Sequence, residues 1–251
     1  MLNRTIRLYA AVMAFAFGAA MGSSASMAAL ISASVGGVPV GAGVYENFDN
    51  LGSTGGTSNG ITVSFSGTGA GAINSPDAPG FYAAPFISDS NGASFGNSQA
   101  DGRNETQYLT TGIGEVTLQF DESHQYFGLL WGSVDDYNSL SFYDGATLLF
   151  SFSGLDVDGL GTGSQGADGT FYVNINSDIP FDRVVASSTG YGFEFDNVAL
   201  AVNPTELPVN PIPEPGTLVL LGLGLLASIT VRHRRVCITR LMLSIERIKP
   251  A

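Results

Sequence analysis

From residue 61 to residue 201, short runs of aromatic and β-branched residues alternate with clusters of Gly, Asn, Asp and Ser, the pattern of strands separated by tight turns. The runs fall at residues 61–66, 81–86, 115–120, 125–131, 139–143, 147–152, 171–176, 183–188 and 192–201. Several alternate with period two: Val116, Leu118 and Phe120 share one face with Thr117 and Gln119 opposite, and Phe171, Val173 and Ile175 oppose Tyr172 and Asn174. Asp144-Gly145, between two runs, is a hairpin signal. No stretch of this region sustains a 3.6-residue apolar stripe of helical length. The pattern predicts an all-β body over residues 29–203, an antiparallel β-sandwich of jelly-roll type. Residues 32–80 are glycine-rich with few apolar pairs and read as irregular loops or a flexible edge. No internal repeat of fixed period is present, which argues against a β-helix.

The two ends follow a different pattern. Arg4 and Arg7 precede an uncharged apolar stretch and then small residues up to Ala28, the order of a secretory signal peptide over residues 1–28. Residues 204–212 begin a proline-rich linker. Beyond it, the run from Leu218 to Val231 is uncharged and ends at Arg232, Arg234 and Arg235. As a helix it is about 21 Å long, short against a hydrocarbon core of about 30 Å but able to span with snorkelling arginines. This predicts a single C-terminal transmembrane helix, with the basic cluster cytoplasmic and the body outside the inner membrane.

Charge sharpens this division. The 251 residues carry a formal net charge of -12, yet residues 1–28 hold no acid, and residues 29–212 hold Arg103 and Arg183 against twenty carboxylates. A body so acidic, without lysine, excludes electrostatic binding of nucleic acid. The one cysteine, Cys237, lies past the apolar run, so the body has neither a disulfide nor a cysteine nucleophile.

Pro213-Glu214-Pro215, the following Gly216, the Leu/Gly-rich run and the arginine cluster Arg232, Arg234 and Arg235 together resemble the PEP-CTERM sorting signal of Gram-negative bacteria. That resemblance, over about residues 212–235, implies export, membrane anchoring and handling by an exosortase-type membrane protease as partner. Such signals usually stop soon after the arginines; here residues 236–251 continue as a cytoplasmic tail. The ending Phe193-Glu194-Phe195-Asp196-Asn197-Val198 is similar to the Phe-x-x-Asp-Asn-Val ending common in exosortase-dependent surface proteins, and residues 130–143 look like one subgroup of them. The family resemblance implies an address and a fold, with no assigned activity.

Candidate chemistry in the body is sparse. His124, in Asp121-Glu122-Ser123-His124, reads as a turn residue between two strands. Gly56-Thr57-Ser58-Asn59-Gly60 spells a nucleophile pattern but lies in a loop leading into a strand, where the elbow needs a strand before it and a helix after it. Gly161-Thr162-Gly163-Ser164-Gln165-Gly166 spells a dinucleotide pattern with no helix after it. Carboxylates are plentiful, and Asp156, Asp158 and Asp168 around a glycine-rich loop could ligate calcium with loop carbonyls, or could be solvated turn residues. Trp131 and Tyr137, with Tyr143, Tyr172 and Tyr191, could form a sugar-stacking platform, although core packing is the commoner use of such side chains. The expectation is a non-enzymatic surface or extracellular-matrix protein associated with exopolysaccharide and requiring no cofactor. The alternatives are a calcium-dependent carbohydrate-binding module and, second, a carboxylate-based glycosidase.

Overall fold

The computed structural model describes residues 31–35, 41–74, 77–88, 92–207 and 211–212. The predicted signal peptide, transmembrane helix and tail lie outside the described residues. Among the described residues no helix is long and apolar enough to cross a membrane.

Fourteen strands are present among the described residues. In chain order they are β1 (Ile31–Val35), β2 (Val44–Glu46), β3 (Gly56–Ser58), β4 (Ile61–Thr68), β5 (Gly71–Asn74), β6 (Phe86–Ile87), β7 (Gly102–Arg103), β8 (Gln107–Thr110), β9 (Ile113–Gly132), β10 (Asn138–Asp144), β11 (Thr147–Ser153), β12 (Phe171–Ser188), β13 (Glu194–Ala201) and β14 (Pro211–Ile212). One helical turn, Gly154–Val157, and one 3₁₀ turn, Ala93–Phe95, complete the described elements. Every pairing in the main sheet is antiparallel. The body is therefore all-β.

Two strands are far longer than the sequence implies. The runs at 115–120 and 125–131 are one strand, β9, and those at 171–176 and 183–188 are one strand, β12. Phe171 pairs with Trp131 at one end of their common ladder and Ser188 with Gly114 at the other. Midway the register slips and recovers: from Asn176 to Phe181, five residues of β12 pass two of β9, and from Phe181 to Arg183, two pass five. The excursions bend both strands together, as bulges do. Gln125 Nε2 donates to the Asp178 carbonyl at 2.9 Å and Gln119 Nε2 to the Asp182 carbonyl at 2.9 Å, holding the bend.

The bend divides the pairing into two arms. In one, β3, β4, the first part of β9, the second part of β12, β10 and β11 follow in order. In the other, β14, β1, the first part of β12, the second part of β9 and β13 follow, with β8 and β2 both on β13 and β5 beyond β8. The inward parity switches across the bend, from Val116, Leu118 and Phe120 to Phe127, Leu129 and Trp131 along β9. Both sets join one apolar cluster centred on Phe142, whose ring meets Phe127 edge-on at 5.5 Å and stacks on Phe150 at 4.5 Å.

Four expectations need correction. His124 is not in a turn: it is buried within β9, opposite Phe181, because the partner strand bends with it. The run at 81–86 is not one strand; Tyr82 makes a single bridge to Ala78, Phe86–Ile87 pairs with Gly102–Arg103, and Phe81 is exposed. Residues 32–80 are not wholly irregular, since β1 to β5 lie there, all but the β3–β4 hairpin held by partners distant in sequence. The glycine-rich stretch 56–60 is that hairpin, with Asn59 and Gly60 both at positive φ, as a two-residue turn of the primed type requires. The Asp144-Gly145 hairpin is formed as expected.

Phe142→Ala removes a fully buried ring from the centre of the core and is expected to cost about 3–5 kcal/mol. Leu148→Ala, at a 53 % exposed position, is expected to cost less than about 1 kcal/mol. Urea unfolding of the two variants checks the contrast.

Candidate functional site

Where the β9–β12 ladder ends, four segments converge on a pocket of about 170 Å³. They are the turn after β9 carrying Ser133, Asp135 and Tyr137, the loop carrying Gly163 and Gln165, the entry to β13 at Tyr191 and Glu194, and the segment around Phe81. Asn138 fixes two of these walls: its Nδ2 donates to the Gly192 carbonyl at 3.2 Å and its Oδ1 accepts from Ser188 Oγ at 2.8 Å.

Glu194 stands at the base. Phe193, just before β13, and Phe195 on it enter the core, which turns Glu194 and Asp196 to the opposite face. An alternating strand usually leaves that face in water. Here the segment between β5 and β8 covers it. Ala83 N donates to Glu194 Oε1 at 3.0 Å, and Asn104 Nδ2 donates to Asp196 Oδ2 at 2.7 Å. The other oxygens, Glu194 Oε2 and Asp196 Oδ1, are buried with no hydrogen-bond partner among the described residues. Loss of solvent raises both carboxyls, Glu194 from its ordinary 4.5 to about 8 and Asp196 well above its usual range.

Asp135 and Tyr137 form the wall beside Glu194. Tyr137 Oη lies 2.7 Å from Asp135 Oδ2 and 2.8 Å from the Tyr191 carbonyl. Burial also raises Asp135. Glycines keep the space open: a Cβ on Gly192 would lie 2.5 Å from Glu194 Oε1 and 2.8 Å from the Phe81 carbonyl, and one on Gly163 would overlap the Asp135 carboxylate. At the rim, Phe81 is 54 % exposed and meets the Tyr191 ring edge-on at 5.1 Å.

The residues expected from sequence fall in several places. Trp131 is fully buried and stacked on Phe193 at 4.4 Å, so it offers no face to a glycan; the second part of β9 is covered on both sides. Tyr172 is buried as well, whereas Tyr137 and Tyr191 do line the pocket. Tyr143 lies elsewhere, under the Arg183 guanidinium at 4.3 Å. Asp156 accepts from Ser153 N at 2.7 Å and Ser153 Oγ at 2.8 Å, Asp158 from Leu160 N at 3.2 Å, and Asp168 from Ser164 Oγ at 2.8 Å. Each thus holds its own turn, and among the described residues no group of three or more His, Cys, Asp or Glu converges to hold a metal. The stretch 161–166 is a loop with one bridge, Thr162 to Asp135, and no helix follows it. His124 is depressed by burial and packs edge-on against Phe120 at 5.3 Å. Pro213, Glu214, Pro215, Arg232, Arg234 and Arg235 lie outside the described residues.

Between about pH 4.5 and 8 the folded chain holds a proton on Glu194 that the unfolded chain has released. The stability this gives is complete below about pH 4.5 and is lost as pH rises through about 8. Glu194→Gln keeps the acceptor for Ala83 N and removes the titration. Unfolding free energies from urea titration across this range are expected to fall for the wild type and to fall less for E194Q, by an amount on the order of a few kcal/mol. An equal fall in both would assign it to other groups.

The chain matches no curated protein and no solved structure. A family model does match at its C-terminal side: residues 211–235 match the PEP-CTERM protein-sorting motif.

Proposed function

We propose that this chain is a surface protein exported across the inner membrane, anchored there by a helix after the motif, and handed on through an exosortase-type protease. In this reading its β-sandwich body plays a non-enzymatic structural or binding role toward exopolysaccharide in the extracellular matrix. The observation that carries it is the position of the sorting motif. Strand β14, whose Ile212 pairs with Ala33 of β1, is the last described element of the body and also the start of the motif. Body and address are therefore contiguous, as a delivered cargo requires. The non-enzymatic role is supported by His124, buried in the ladder, and by the hairpin and loop found where the sequence spells the nucleophile and dinucleotide patterns.

Replacing Pro213, Glu214 and Pro215 together by alanine is expected to leave the chain in the inner membrane at its unprocessed length. Fractionation and immunoblotting of cells that make exosortase read the result. Undiminished arrival at the cell surface would contradict the reading.

A further inference from the structure

We propose that the pocket bounded by Phe81, Asp135, Tyr137, Gln165, Tyr191 and Glu194 binds a single saccharide unit of a glycan. This rests on the polysaccharide role above and gives it a place on the molecule.

The shape sets the size of the ligand. A volume of about 170 Å³, lined by Glu194 and open to solvent on one side, is of the size of one sugar ring. The chemistry sets its class. A sugar presents hydroxyls that both donate and accept along its edge and an apolar C–H face. The pocket offers carboxyl, amide and hydroxyl groups on its walls and the face of Phe81 at its rim. A ring 54 % exposed gains free energy when an apolar surface covers it, and Tyr191 holds it edge-on in place.

Two features of the polar wall bear on the ligand. Glu194 is 1 % exposed and lines the pocket, and its Oε2 meets no donor at full hydrogen-bond distance among the described residues, the Ser133 hydroxyl being the donor beside it. Tyr137 has one hydroxyl proton and two acceptors within 2.8 Å, the Asp135 carboxyl and the Tyr191 carbonyl. One of the two contacts therefore needs a second proton, which a protonated Asp135 donating to Tyr137 Oη supplies. A divalent cation fits less well. Six to eight oxygens are wanted, a third acidic or histidine ligand does not converge there among the described residues, and an aromatic rim contributes nothing to coordination.

The test uses the full chain in a zwitterionic detergent without a sugar headgroup. Saturation-transfer NMR is recorded against glucose, galactose, mannose, N-acetylglucosamine and glucuronate. At least one is expected to bind saturably, and Phe81→Ala and Gln165→Ala each to weaken it at least about tenfold, which is about 1.4 kcal/mol. Both replaced side chains are exposed, so the variants keep the fold. Tyr143→Phe, away from the pocket, is expected to change nothing. Three results would overturn the proposal: no transfer from any of the five sugars, transfer that both pocket variants leave intact, or release of reducing ends from polysaccharide that Glu194→Gln abolishes. So would a calcium-dependent rise in unfolding temperature that Asp135→Asn removes while no sugar binds. Co-sedimentation with polysaccharide from the producing cells separates this site from the broader role. Pocket variants that still co-sediment sink the pocket alone; a wild type that does not co-sediment sinks the polysaccharide role alone.

Discussion

The hydrogen-bonded ladder between β9 and β12 is the constraint on which everything else in the described structure rests. Each of these strands is paired on both edges, with β4 or β13 outside β9 and with β10 or β1 outside β12. Both arms are thereby built on the same two strands, and the bend at their middle turns the inner faces of the arms into one core. A slip of one residue would send Val116, Leu118 and Phe120 to water and the charged positions inward. The matched excursions avoid this: three residues gained by β12 are returned by β9, so the register beyond the bend is the register before it.

The same ladder decides where the unusual chemistry sits. β13 lies beside the end of β9, where Phe171 pairs with Trp131 and Glu194 with Gly132. Its inner face completes the core with Phe193, Phe195 and Val198. Its outer face would be a solvated polar stripe without the segment between β5 and β8, which pins itself to Glu194 through Ala83 and to Asp196 through Asn104. Burying two carboxyls with an unmet oxygen on each is costly, and each shifts toward its neutral form as a result. Of the two, Glu194 lines the pocket.

What the sequence shows of this is what is local. The β10–β11 hairpin is legible because Asp144-Gly145 and the alternating runs on either side specify it without distant partners. The break seen at residues 121–124 is a real feature, three exposed residues ahead of buried His124, but whether it ends a strand or bends one depends on β12, some fifty residues away. Strands β1 and β2 carry weak patterns of their own and exist because β12 and β13 offer them edges. Trp131 and Tyr172 look alike from sequence as aromatic candidates for a surface, and both are buried because their arm is covered on two sides. Glu194 and Asp196 lie in the run at 192–201, alternating with Phe193 and Phe195. Nothing nearby in the chain announces the cover that buries them, which comes from around residues 83 and 104. The sorting motif is legible at once, because it depends on the order of adjacent residues and not on folding.

The picture that results is an address attached to a body, with the body held as one unit by two shared strands. Amide hydrogen exchange of the folded chain tests that unity most directly. Residues 116–120 and 127–131 of β9, on opposite sides of the bend, are predicted to exchange at a common slow rate, together with residues 173–176 and 184–186 of β12. Exchange of one arm well ahead of the other, as a separate unit, would contradict the account.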